Sequence, residues 1–171
     1  RGLRAVVLDK ATFPRDKTCG DGLTTAALRI LEDLGLSRAD LDALGATPVP
    51  ETVITAPSGR EIVLPMPTTG AHALVVERRR LDARLVDAAR SAGAEVREGH
   101  TVQRVEVLPD RVVVDGTEAR HLIAADGHWS PVRRMLQPHT PRDLGEWHAV
   151  RQYFEATTAD RLRVWFEIGR A

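Results

Sequence analysis

The sequence predicts an α/β fold in which a nucleotide-binding-type domain of parallel strands and helices is intertwined with a β-sheet domain. Three observations predict it. The apolar runs Ala5-Val6-Val7-Leu8 and His121-Leu122-Ile123-Ala124-Ala125 end in Asp9 and Asp126-Gly127, the pattern of buried parallel strands. Helical periodicity lies between those runs. A β-rich stretch from Thr52 to Pro65 interrupts the α/β order, and β character returns after Val150.

The elements follow in order. After the first strand, residues 10–23 read as a loop around Phe13-Pro14-Arg15-Asp16 and Cys19-Gly20-Asp21-Gly22. Leu28, Leu31 and Leu34 repeat at helical spacing, with Thr24 or Thr25 as N-cap and Gly35 as the stop. Ser37 with Asp40 resembles a capping box for a short helix ending near Gly45. Thr52–Ala56 and Glu61–Leu64 flank Pro57-Ser58-Gly59-Arg60 as a hairpin. Ala73–Val76 reads as a strand, and Leu81, Leu85, Ala88, Ala89 and Ala92 mark an amphipathic helix that stops at Gly93. Strands are expected at Glu95–Arg97, Val102–Val107, Arg111–Asp115, His121–Ala125, Val150–Glu155 and Leu162–Ile168. Ser130-Pro131 opens a short helix to about Leu136, and a linker around Pro138 and Pro141 follows. The first and last residues read as the interior of a longer protein.

Composition excludes several classes. The 171 residues carry 24 Lys+Arg against 24 Asp+Glu, without the basic excess that nucleic-acid binding needs. A hydrophobic fraction of 43% with 28% charged residues is ordinary for a soluble domain. No apolar run approaches the roughly 20 residues of a membrane span, and no secretory leader is visible. One cysteine, Cys19, excludes an internal disulfide framework, so a cytoplasmic location is expected. The six histidines show no metal spacing, and no hydrolase elbow or P-loop is present.

Four places carry candidate chemistry. Asp9 ends a strand where dinucleotide-binding domains place an acidic residue on a ribose, about 20 residues after a glycine-rich turn. By itself it reads more readily as a solvent-facing Asp at a strand end. Asp126-Gly127 suits a ligand crevice at a strand's carboxyl end, or a simple turn. Of Arg78, Arg79 and Arg80, two read as a solvated cluster and one as a bidentate partner for a diphosphate. Cys19-Gly20 lies in a loop, where a lone Cys is more often inert than reactive.

Together these segments resemble one family. Phe13-Pro14-Arg15-Asp16-Lys17-Thr18-Cys19-Gly20-Asp21-Gly22-Leu23 is similar to F-P-R-D-K-P-C-G-D/G-G-L, and Val76-Glu77-Arg78-Arg79-Arg80-Leu81-Asp82 to V-x-R-x-x-L/F-D. Ala92-Gly93-Ala94-Glu95-Val96 is similar to A-G-A-E-V, and Ala125-Asp126-Gly127-His128-Trp129-Ser130-Pro131-Val132-Arg133-Arg134 to A-D-G-x-x-S-x-V-R-R. In this order they resemble the geranylgeranyl reductase family, within the wider group of FAD-dependent hydroxylases and halogenases.

The resemblance implies a Rossmann-like FAD-binding domain in segments 1–47 and 77–137, intertwined with a β-sheet substrate domain in 48–76 and 138–171. It implies that Asp9, with the adjacent Lys10, serves the FAD adenosine ribose, that Arg78 approaches the diphosphate, and that Asp126 and Gly127 lie near it. Cys19 and Gly20 are implied at the flavin and the reacting substrate, with Arg15 near the cofactor. NAD(P)H or another reductant and a small apolar substrate are the implied partners, with peripheral membrane contact and oligomeric state left open. The implied activity is reduction of carbon-carbon double bonds in an isoprenoid chain. The alternatives are an FAD-dependent monooxygenase or halogenase of a small aromatic or terpenoid metabolite, and a non-catalytic fragment. Thr18 stands where the family has Pro. The first strand with its glycine turn, a later Gly-Asp segment and an aromatic-proline substrate motif are not among these residues, so the 171 residues alone are expected not to hold FAD in the family's manner.

Overall fold

A computed structural model describes residues 2–67, 72–137, 150–154 and 161–167. The expected linker at Pro138 and Pro141 lies outside them, as do Glu155 and Ile168 at the ends of two expected strands. The elements are β1 (Val6–Leu8), β2 (Gly22–Thr24), α1 (Thr25–Asp33), α2 (Arg38–Ala43), β3 (Thr47–Pro48), β4 (Glu51–Thr55), β5 (Glu61–Pro65), β6 (Ala73–Val75), α3 (Arg78–Ser91), β7 (Glu95–Arg97), β8 (Val105–Val107), β9 (Val112–Val114), β10 (Thr117–Ala119), α4 (Pro131–Leu136) and β11 (Leu162–Trp165). They fall into two compact units, one of Arg1–Phe13 with Leu85–His148, the other of Pro14–Arg84 with Ala149–Ala171.

In the first unit, β1 and β7 pair in parallel, with Val6 opposite Glu95 and Leu8 opposite Arg97. The ladder runs one residue further, where the Asp9 amide donates to the Arg97 carbonyl at 3.1 Å. Strands β8, β9 and β10 form an antiparallel meander. Its second turn is Asp115-Gly116, with φ of 46° and 82°, the left-handed pair that a two-residue hairpin requires. Helix α4 starts as expected: Ser130 Oγ accepts from the Arg133 amide at 2.9 Å and Pro131 is the first helical residue.

Two expectations fail in this unit. The run His121–Ala125 is neither strand nor buried; Ile123 is 87% exposed. An apolar run becomes a strand only where a neighbouring strand satisfies its amides and carbonyls, and among the described residues none pairs with it. For the same reason β1, with one neighbour, is half-buried rather than fully buried. The strand β10 was not expected.

In the second unit, α1 is capped by Thr24, whose Oγ1 accepts from the Ala27 amide at 3.3 Å. It ends in a Schellman turn, where Leu36 N donates to Leu31 O at 2.9 Å and Gly35 N to Glu32 O at 2.8 Å. Gly35 sits at φ 85°, which a side chain would strain. Ser37 and Asp40 close the capping box of α2. The hairpin β4–β5 forms as expected, with Thr52 opposite Leu64 and Ile54 opposite Ile62. Strand β11 adds to β4 in parallel, and a second sheet has the order β2-β6-β3. Leu28, Leu31, Leu36, Leu41, Val53, Leu74, Val76 and Leu81 are the buried apolar side chains. Residues 150–154 form no strand, contrary to expectation; the Arg151 and Tyr153 side chains are engaged instead, as described below. Among the described residues no helix is long and apolar enough to cross a membrane.

Leu74→Ala removes a fully buried side chain and is expected to lower stability by about 2–5 kcal/mol. Ile123→Ala is expected to change it by less than about 0.5 kcal/mol. Urea unfolding of the two variants separates an exposed 121–125 segment from a buried strand, which would give both a large loss.

Candidate functional site

The second unit gathers the loop that follows Pro14 onto the start of α3. Residues four apart on a helix face one another, so Arg78 reaches Asp82 with both Nε and Nη2, at 2.8 and 2.9 Å. From the loop, Arg15 Nη1 donates to the same carboxylate at 3.0 Å. The Asp82 side chain is 9% exposed, while Arg15 and Arg78 remain about a quarter exposed. One buried anion thus holds two part-exposed cations. Asp82 raises the Arg78 pKa further above its ordinary value, with Cys19 adding to the effect.

Cys19 also interacts with Arg78. The Asp21 amide, then the Arg78 guanidinium, hold its thiol below the usual cysteine range. Asp21 is 4% exposed and adopts φ 59°, a left-handed conformation uncommon outside glycine. Its carboxylate accepts from Arg151 Nη1 at 3.0 Å, Tyr153 Oη at 2.6 Å and the Arg78 amide at 3.4 Å. Arg151 also donates to the Asp16 carboxylate and, at 3.1 Å, to the Lys17 carbonyl. The Arg151 guanidinium lies over the Tyr153 ring, 4.4 Å from its centroid.

The first unit contains the other expected residues. Asp9 stands just past β1 and accepts from the Ala11 amide at 2.9 Å; Lys10 beside it is exposed. Asp126 accepts from the Val132 amide at 3.0 Å, so its carboxylate already serves the first turn of α4. Bonds to Ser130 and Val132 hold it below the usual carboxylate range despite partial desolvation. Gly127 sits at φ 88° with open space where a Cβ would stand, which admits close approach of a ligand to its backbone.

Cys19, Gly20, Arg15 and Arg78 therefore share one cluster within the second unit. Asp9, Lys10, Asp126 and Gly127 are described within the first. Arg79 is exposed, and Arg80 pairs with Glu77 and the Leu44 carbonyl, which fits the solvated reading of those two. Sequence reasoning missed Asp21, Asp82, Arg151 and Tyr153. The four-residue spacing of Arg78 and Asp82 was a usable signal for one of them. Among the described residues no group of His, Cys, Asp or Glu is placed to hold a metal ion.

The FAD binding domain profile matches residues 1–168. The chain belongs to that family. Its cofactor is FAD, and the part-exposed guanidinium groups of Arg15 and Arg78 are of the chemistry that binds a diphosphate. Menaquinone reductase of Mycobacterium tuberculosis (strain ATCC 25618 / H37Rv) is 35% identical over 168 residues, which is 93% of this chain and 40% of that protein. Rifampicin monooxygenase of Streptomyces venezuelae is 29% identical over 151 residues, covering 79% of this chain and 29% of that one. Among solved structures, CmlS, a flavin-dependent halogenase, superposes with a TM-score of 0.67 at 28% identity, over 79% of this chain and 27% of its own. This FAD binding domain chain thus spans 40% of the length of the menaquinone reductase it matches. The wider expectation of an FAD-binding fold shared with monooxygenases and halogenases holds.

Two titrations test the site in the FAD binding domain chain. Cys19 is its single cysteine, so iodoacetamide labelling follows one thiol. The pH profile of labelling is expected below that of a free cysteine, and Arg78→Gln is expected to move it up without restoring the free value, because the Asp21 amide remains. An unchanged profile would contradict the contact. Tyr153 is the single tyrosine, and desolvation of its hydroxyl, then Asp21, push it up to about 12. A raised acid favours the neutral folded form, so this stabilisation is present below about pH 10 and lost as pH rises through about 12. Tyrosinate absorbance after a rapid pH jump reads it; a midpoint near about 10 means the Asp21 bond is not made.

Proposed function

We propose that the parent protein is an FAD-dependent reductase of carbon-carbon double bonds in an isoprenoid chain, such as the tail of a polyprenyl quinone. The observation that carries this reading is the Cys19-Gly20 pair, braced by Arg78, in a chain 35% identical to a menaquinone reductase over 93% of its length. Menaquinone is itself a quinone with a polyprenyl tail, which agrees with the substrate class that the geranylgeranyl reductase resemblance implies. In this reading segments 1–47 and 77–137 serve the cofactor, and 48–76 and 138–171 the substrate.

FAD, once bound and reduced by NAD(P)H or another reductant, would supply a hydride to one carbon of the double bond, with a proton completing the other. The chain's own residues bind and orient. Arg15 and Arg78 offer positive charge to the diphosphate, Asp9 and Lys10 serve the adenosine ribose, and the Gly127 backbone lies open to close approach. Asp126, whose carboxylate serves α4, acts by fixing the turn that carries Gly127. Cys19 and Gly20 line the reacting end, where the glycine leaves room for a flat or apolar group. An apolar substrate of this kind also favours peripheral contact with a membrane.

The second reading, a monooxygenase or halogenase, is supported by the 28% identity to CmlS with its TM-score of 0.67. Anaerobic incubation of the full-length protein with reductant and a polyprenyl quinone decides between them. Saturation of one tail double bond, read as a gain of two hydrogens by mass spectrometry, is expected. Oxygen-dependent substrate turnover, with no saturated product, would replace the first reading with the second.

A further inference from the structure

The Cys19-Gly20 segment is held from both shoulders by one side chain that lies more than 130 residues further along. Arg151 bonds Asp16 and the Lys17 carbonyl before the pair, and Asp21 after it. Thr18, Cys19 and Gly20 form the short span between those anchors. A fork of donors is needed for this, because one guanidinium presents five N–H groups in a fixed plane where an ammonium is a point charge. Tyr153 completes the clamp twice: its ring carries the guanidinium, and its hydroxyl bonds the same Asp21 carboxylate.

The anchor at Asp21 is costly in isolation. A carboxylate is buried there, on a residue held at positive φ between two glycines, Gly20 and Gly22. Such a conformation persists only where surrounding contacts over-determine it, and backbone strain of this kind concentrates where geometry must be fixed. Burial of the charge likewise demands several donors at once. Arg151, Tyr153 and the Arg78 amide supply them from two separate segments. The flanking glycines would otherwise leave the Cys-Gly backbone free to swing.

We infer that Arg151 and Tyr153 are positioning residues that act through Asp21 and Asp16 to fix the Cys19-Gly20 backbone at the reacting end of the site. This rests on the proposed placing of that pair beside the flavin and substrate. Neither residue touches the reaction; each sets where the pair stands. A loosened clamp therefore slows turnover, while the FAD diphosphate and ribose contacts, which are assigned to other side chains, remain.

The test uses the full-length flavin-loaded protein with Tyr153→Phe, Asp21→Asn, their double variant and Arg151→Lys. Flavin content and melting temperature are recorded first. Tyr153→Phe keeps the ring over Arg151 and is the variant least able to disturb folding. Expected is a fall in kcat of about tenfold for Tyr153→Phe, the scale of one hydrogen bond to a charged group, with KM and flavin content unchanged. The double variant is expected to be no worse than Asp21→Asn alone, since Tyr153 acts through that carboxylate. Iodoacetamide labelling of Cys19, followed on its own peptide, is expected to accelerate in Tyr153→Phe and Arg151→Lys. Additive effects in the double variant, or losses that track melting temperature with labelling unchanged, overturn the inference. If labelling accelerates and the cycle is non-additive for a different flavin reaction, the clamp stands while the isoprenoid reading falls.

Discussion

Asp82 is the carboxylate on which the second unit's chemistry depends. Its side chain is nearly buried, and a charge removed from water must be paired and hydrogen-bonded or it neutralises. Arg78 meets that demand from one turn back on the same helix, and Arg15 meets it from the loop. The pairing has two effects that reach beyond Asp82. It ties the loop to α3, and it leaves the remaining edge of the Arg78 guanidinium beside the Cys19 thiol. The value of this pair lies less in net stability, since a buried ion pair is often no better than apolar packing, than in the cost of leaving it half-made. Loss of either arginine leaves the carboxylate short of donors, so the loop has one favourable docking on α3.

How far this was legible in the sequence depended on the range of the interaction. Helix ends were legible because capping is local: Thr24, Gly35, and Ser37 with Asp40 each satisfy groups within a few residues. The hairpin at Pro57–Arg60 was legible for the same reason. Residues 121–125 were not, because their apolar composition states a preference for burial that only a partner strand can realise. Residues 150–154 failed differently. Their alternation is extended in character, and it is spent on sending Arg151 and Tyr153 to Asp21.

The site divides along the same line. The motifs pointed to Arg15, Cys19, Gly20 and Arg78, and the structure brings those four together. Arg78 and Asp82 could have been paired from their spacing, as an i, i+4 couple on a helix. Nothing local announces that Asp21 is buried, since Gly20-Asp21-Gly22 has the composition of an exposed turn. Its partners come from 57, 130 and 132 residues away, beyond any pattern that a single sequence displays.

Shared scaffold does not decide between reductase and oxygenase, because one fold carries many chemistries and the flavin supplies the reactive electrons in both. The difference must lie in what stands at the reacting end and how firmly it is held. An oxygenase needs room and polarity for an oxygen adduct, whereas saturation of an unactivated double bond needs the apolar chain held close and a proton source at a fixed place. On the reading proposed above, the Cys19-Gly20 segment serves the second. It carries a thiol that the Asp21 amide and Arg78 hold below the usual cysteine range, and it is tethered on both sides. That firmness is what a reaction with little substrate polarity to grip requires, since orientation must then come from the protein rather than from hydrogen bonds to the substrate.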